Sequence, residues 1–230
     1  MATHTDKTFE QDLETVRSLL QTMASKVQSL IELSVRALSE RDPATSEIVF
    51  KGDQEVNRLE VDIDELCRRI LALRQPAASD LRLITTALKI VTDLERCGDL
   101  AVNISERAHD LIEAPPMSSY HDVTRLADLA QKQLGEALAC FVSADTDKAQ
   151  EVLKGDEIID ALFLKMFNDL LALMMEDSKY IRRATALMFV GKALERIGDH
   201  AMNIAEMVIY MVKGQDIRHP RSRKLSLNSK

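Results

Sequence analysis

The sequence contains no Trp, and aromatic residues make up only 4% of it. Its 7 Gly and 5 Pro in 230 residues are too few for the turn-rich chain of a sandwich or barrel. Cys67, Cys97 and Cys140 are odd in number, widely separated and form no C-x-x-C. That pattern supports neither a disulfide framework nor a zinc ribbon, and it reads as buried or free thiols in a reducing cytosol. No apolar run approaches the roughly 18–20 residues that a bilayer span needs. The opening MATHTDKTFEQDLE is polar and has no h-region, so no secretory signal is read there and a cytoplasmic location is expected. Positive charge is not in excess: the formal net charge is −7, which argues against a generic nucleic-acid binder. No G-x-x-x-x-G-K-[ST] is present, and no Ser-His-Asp or Cys-His set can be argued from spacing. An enzyme is not expected.

What is abundant is helix-forming residue types: Leu, Ala, Glu, Lys, Arg and Met carry most of the chain. Six periodic segments are separated by prolines and polar clusters. Residues 9–41 place Leu13, Val16, Leu20, Met23, Val27, Leu30, Leu33 and Leu38 at helical steps. Asp42 before Pro43 reads as an N-cap followed by Pro at N1. A second helix runs to about Arg74 and breaks at Gln75-Pro76. A third covers about 79–113 and stops at Pro115-Pro116. Helices four, five and six are expected at 120–143, 146–176 and 179–213, with Gly214 as a C-cap. The connections are short, so neighbouring helices run antiparallel.

The two halves repeat. LERCGDLAVNISE at 94–106 returns as LERIGDHAMNIAE at 194–206. Lys51-Gly52-Asp53 returns as Lys154-Gly155-Asp156, Asp42 as Asp145, and Arg82 as Arg182. The fold class is therefore all-α, with two tandem three-helix bundles related by an internal repeat. The first unit is read as residues 8–114 and the second as 117–214. Residues 215–230 carry five basic side chains against one Asp and read as a basic, frayed tail.

The repeated phrase is a poor choice for a helix that needs only stability. Glu95, Asp99 and Asn103 follow one another at i, i+4 and i+8, with Glu106 at i+11; Glu195, Asp199, Asn203 and Glu206 repeat the set. These steps share a helix face. Like charges at i, i+4 cost about 0.2–0.5 kcal/mol, and Gly98 and Gly198 each cost about 1 kcal/mol against Ala. A cation would answer the repulsion, and carboxylate and amide oxygens suit hard metals. Glycine would let a neighbouring helix or a cluster approach the backbone. The second helix adds Asp53 and Asn57, the fifth Asp156 and Asp160, again at i, i+4. Asp53 and Asp99 lie 23 residues either side of Pro76; Asp156 and Asp199 lie 21 and 22 from Asp177. In an antiparallel hairpin each pair falls at one height. One polynuclear metal site per repeat is the expectation, with Glu106 and Glu206 as outlying members. The bland reading is a solvated acidic stripe paired with Arg96 and Arg196.

At these residues the sequence resembles the PhoU family of phosphate-specific transport accessory proteins. DLERCGDLAVNI and ALERIGDHAMNI are similar to its paired signature, QPAASDLR to its second hairpin turn, and GQDIRHP to its C-terminal ending. The resemblance covers about residues 8–220. It implies a negative regulator of the phosphate regulon that modulates phosphate uptake. It implies two partners: the ATP-binding subunit of the phosphate ABC transporter and the phosphate sensor histidine kinase. Contact with the membrane would come only through them. It implies multinuclear clusters of divalent or trivalent metal (Fe, Zn, Mn or Mg) on Glu95 and Asp99, on Glu195 and Asp199, and by fit on Asp53, Asn57, Asp156 and Asp160. A homodimer is common in the family. Asn57 departs from a strict carboxylate, so a weaker first site is expected. The other class of function is a metal-free helical adaptor that docks partners on its acidic faces.

Two further patterns stand out in the sequence. Glu106 and His109 form an E-x-x-H, but the second repeat has Ile209 at the matching place, against a ferritin-like pair. His200 is read as a surface histidine, and the methionines, Met166, Met175 and Met207 among them, as core filling.

Overall fold

The computed structural model describes residues 7–111 and 120–218, and every regular element within them is helical. Helix α1 spans Lys7–Glu40, α2 Pro43–Arg74 and α3 Ala78–Asp110. Helix α4 spans Tyr120–Ser143, α5 Thr146–Lys154, α6 Asp156–Glu176 and α7 Ile181–Lys213, with a short 3₁₀ turn at Ser178–Tyr180 before α7. The first bundle is α1–α3 and the second α4–α7. Helix α3 packs along α7 and α1 meets α4, so the two repeats share one apolar interior.

The expected punctuation has a physical counterpart. The Asp42 carboxylate accepts the Ala44 amide at 3.0 Å and the Thr45 hydroxyl at 2.7 Å, satisfying groups that the first helical turn leaves open. Asp145 does the same for Asp147 and Lys148. Gly214 takes the left-handed conformation, φ 68°, that closes α7. The stripe read along α1 is buried from Phe9 to Leu38, with Leu33 half-buried. The break expected at Pro115-Pro116 lies outside the described residues.

Three expectations are corrected. The fifth helix is not continuous: it divides at Gly155, whose amide bonds Val152 at 3.0 Å in a tightened i−3 turn. The buried amide of Gln133 also donates to the Val152 carbonyl, at 3.1 Å, and holds the turn in place. The sixth helix begins at Ile181, because Asp177 caps the 3₁₀ turn by accepting the Lys179 amide. Not every methionine fills the core: Met166 and Met207 are buried, but Met175 is 82% exposed. Met175 belongs to a stripe on α6 with Leu164, Phe167 and Leu171, all exposed and spaced for one face.

Residues 215–218 of the segment read as a tail are described, and Ile217 among them is buried. Residues 219–230 lie outside the described set. All three thiols are free and buried, and burial pushes Cys67 up to about 11 and Cys97 further. No helix among the described residues is long and apolar enough to cross a membrane.

Helices α3 and α7 form the antiparallel centre. Near the start of α3, the Arg82 guanidinium donates to the Met211 carbonyl at 3.1 Å. A cation thus meets carbonyls that the end of α7 leaves open. Farther along, Asp93 of α3 meets His200 of α7 at 2.8 Å.

Candidate functional site

The acidic residues of the first repeat gather between α2 and α3, as the hairpin arithmetic requires. A Cβ at Gly98 would sit 3.1 Å from Asp53 Oδ1 and 3.5 Å from Val56, so the missing side chain is what lets the Asp53 carboxylate reach the α3 backbone. Asn57 donates its amide to Asp53 at 3.1 Å. The remaining Asp53 Oδ1 and Asn57 Oδ1 are buried with no hydrogen-bond partner. Burial raises the Asp53 carboxyl above its ordinary value, and the Asp99 charge adds to that. Glu95 is raised by burial and then by Asp99 and Glu60. Arg96 pairs with Glu95 at 3.4 Å and with Asp99 at 3.1 Å, in part as the bland reading expected.

Glu60 was missed in the sequence. Burial raises it, and it feels both Asp64 and Asp99. The signal was present: residues 53, 57, 60 and 64 follow i, i+4, i+7, i+11 on α2. The matching positions on α6 are Asp156, Asp160, Phe163 and Phe167. The first repeat therefore has the longer row of side-chain oxygens on its second helix.

In the second repeat, Asp199 is raised by burial, then by Glu195 and by Asp160 from the facing helix, against Lys192 and His200. Glu195 is held by Lys192 at 2.5–2.6 Å. Asp156 lies at the N-terminus of α6, on the far side of the Gly155 turn. A Cβ at Gly198 would come within 3.1 Å of both Gln133 Oε1 and Ile159, so here the close approach is made by a buried amide from α4.

The two asparagines and His200 take different places from those expected. Asn203 donates to Asp93 at 3.2 Å, across the α3–α7 contact and away from Asp199. His200 is no surface histidine: its side chain is 15% exposed and bonds the same Asp93. Asn103 lines a cleft between α3 and α7. Glu206 is buried and close enough to Arg218 to influence it, whereas Glu106 is exposed.

Whether these residues suit a metal is answered by two observations. Oxygen-only donors, orphaned buried oxygens and mutually repelling carboxyls fit a hard cation. As placed, no group of three or more His, Cys, Asp and Glu side chains among the described residues is positioned to hold one. The donor chemistry fits, with Asp53, Asn57, Glu60, Glu95 and Asp99 in the first repeat and Asp160, Glu195 and Asp199 in the second.

The raised carboxyls have a consequence for stability. A folded pKa above the unfolded value means that the fold favours the neutral acid, so that contribution is lost as pH rises through the raised value. Asp42, Glu55 and Asp177 are shifted the opposite way by hydrogen bonds, and their contribution is lost only as pH falls below the ordinary carboxyl range. Chelator-treated protein is therefore expected to be most stable on the acid side of neutrality, just above that range. Thermal melts across pH test this, and a maximum at or above neutrality would sink it. Replacing Asp53, Asp99 and Asp199 together with Asn should flatten the rise.

With the geometry in place, comparison with known proteins gives a consistent picture. The family model described as "PhoU domain" matches twice, at residues 20–108 and 123–208. A phosphate-specific transport system accessory protein PhoU homolog of Pseudomonas putida is 41% identical over 97% of this chain and 88% of that protein. The phosphate-specific transport system accessory protein PhoU of Escherichia coli is 35% identical over 94% and 90%. The crystal structure of PhoU from Pseudomonas aeruginosa superposes with a TM-score of 0.87 at 42% identity, covering 90% of this chain and 99% of that one.

Proposed function

The chain belongs to the PhoU family, and from that premise we propose that it is a metal-binding adaptor of phosphate uptake and signalling. It acts as a negative regulator of the phosphate regulon. It links the ATP-binding subunit of a phosphate ABC transporter to a phosphate sensor histidine kinase and restrains the kinase when phosphate is plentiful. The observation that carries this reading is the full-length match of both repeats to phosphate-specific transport accessory proteins. Two features of the fold support an adaptor over an enzyme. Long helical faces dominate the surface, and the exposed Leu164–Phe167–Leu171–Met175 stripe of α6 is the kind of apolar patch that marks a protein contact. The same stripe suits a homodimer.

Metal would neutralise the carboxyl repulsion between α2 and α3, and between α6 and α7, and so hold each hairpin closed. A metal-free adaptor is the second reading. It is favoured by Arg96 and Lys192, which already neutralise part of each cluster. The adaptor role is tested by deleting the gene and following an alkaline-phosphatase-type reporter in high phosphate. Expression should rise; unchanged repression would reject the regulatory role under either reading.

A further inference from the structure

The glycines of the two repeated phrases are approached alike, but by oxygens from different helices. A Cβ at Gly98 would meet Asp53 Oδ1 of α2 at 3.1 Å and Val56 at 3.5 Å. At Gly198 it would meet Gln133 Oε1 of α4 and Ile159 of α6, each at 3.1 Å. A shift of 103 residues maps Val56 onto Ile159, so the two hairpins meet in one register. The same shift maps Asp53 onto Asp156, yet the three atoms nearest to that Cβ at Gly198 belong to Gln133 and Ile159 alone. It also maps Leu30 onto Gln133. The carboxylate oxygen of one repeat is thus exchanged for an amide oxygen at the equivalent place in the other.

The direction of the Gln133 amide is fixed. The residue is 5% exposed, and its Nε2 donates to the Val152 carbonyl at 3.1 Å. Only the nitrogen end of an amide can bond a carbonyl, so the oxygen end is the one set against Gly198. That oxygen is buried with no hydrogen-bond partner, as Asp53 Oδ1 is beside Gly98. A buried oxygen left unpaired is destabilising. An apolar side chain would avoid the cost, and the buried Leu30 shows that the repeat accepts one at this position. Gly198 follows Glu195 by three residues and precedes Asp199 by one, so it borders the face that carries both carboxyls. The unpaired oxygen therefore enters at the edge of the second acidic cluster, from a third helix.

We propose that Gln133 supplies a neutral oxygen donor to a hard divalent cation held by Asp160, Glu195 and Asp199, in the place that the Asp53 carboxylate takes in the first repeat. The proposal rests on the metal-binding reading above and adds a residue that lies outside both repeated acidic motifs. Amide oxygens are ordinary ligands of such ions, beside carboxylates. At this place the second site carries no charge where the first carries one. Helix α4 is thereby tied to the α6–α7 hairpin through the cation as well as through the Gln133 bond to Val152.

The test is titration of Mn²⁺ into the chelator-stripped full chain carrying Asp99→Ala, which disables the first site, with the free ion followed by electron paramagnetic resonance. This parent protein should bind Mn²⁺ saturably, and adding Asp199→Ala should abolish the binding. Gln133→Leu in the parent should weaken it by about tenfold or more, since loss of even an outer-shell partner of a metal costs about 10–100-fold. Leucine is what the first repeat carries at this position, so circular dichroism should show the variant folded. A residue that merely clamped the Gly155 turn would act through its N–H. Gln133→Glu separates the two roles, because an ionised carboxylate keeps the oxygen and has no proton to donate to Val152. It should bind Mn²⁺ at least as tightly as the parent. Equal weakening in both variants would overturn the proposal in favour of a clamp, and undiminished binding in folded Gln133→Leu would overturn it outright. No Mn²⁺ binding in the parent would reject the metal reading for this repeat, and the proposal with it.

Discussion

Leu94→Ala is expected to lower the unfolding free energy by about 2–5 kcal/mol, the range for truncating a fully buried leucine. Leu94 is inaccessible to solvent, as is its counterpart Leu194, and each lies one residue before a cluster carboxylate. The loss has two parts, the transfer free energy of the deleted methylene and methyl groups and the cavity that close-packed neighbours cannot refill. Urea titration should show the midpoint moving with the slope unchanged. Leu164→Ala, on the exposed stripe of α6, should stay within about 0.5 kcal/mol. Because α3 packs on α7 through one shared core, the Leu94→Ala protein should still unfold in one transition. Two resolved transitions would mean that the repeats are separate folding units, and the shared interior would then carry little of the stability.

Adding metal to chelator-stripped protein is expected to raise its melting temperature by about 5–10 °C when free metal is near a hundredfold above its Kd. Binding to the folded state alone contributes about 2.7 kcal/mol at that ratio, and a chain of this length gains about 2–4 °C per kcal/mol. The gain arises because Asp53, Glu95 and Asp199 are already held above their ordinary pKa by burial and by neighbouring carboxylates, Asp99 beside the first two and Glu195 beside the third. A cation removes that penalty by giving the carboxylates a partner. Asp99→Ala combined with Asp199→Ala should abolish the rise, and mass spectrometry of metal content should show the bound ions lost with it. If no tested metal moves the wild-type melt, the acidic faces are docking surfaces and Arg96 and Lys192 are their resident counter-charges.

Much of this fold is written in local signals. Asp42 and Asp145 cap helices because an aspartate before a helical run has amides within reach whatever surrounds it. The heights of Asp53 and Asp99 follow from counting residues away from Pro76, since helix rise is constant. The break at Gly155 is different. Gly52 has the same neighbours in sequence, Lys and Asp, yet α2 runs straight through it. The cause lies on another helix: the residue facing Gly52 is Leu30, whereas Gln133 in the corresponding place reaches Val152 and competes for its carbonyl. His200 was misread for the same kind of reason. Its partner Asp93 is 107 residues away, and nothing along α7 alone announces that contact. Glu60 was legible by its step from Asp53 and Asn57.

The three buried thiols carry a consequence of their own. A thiol reacts as its thiolate, and burial in apolar surroundings keeps Cys67 and Cys97 protonated at any physiological pH. Oxidants and alkylating agents therefore meet a thiol in this protein only after a helix has moved away. Cys67 and Cys97 lie in the first repeat and Cys140 in the second. The chain thus contains a natural set of reporters on its own breathing, silent while the bundles stay closed and specific to the repeat that opens.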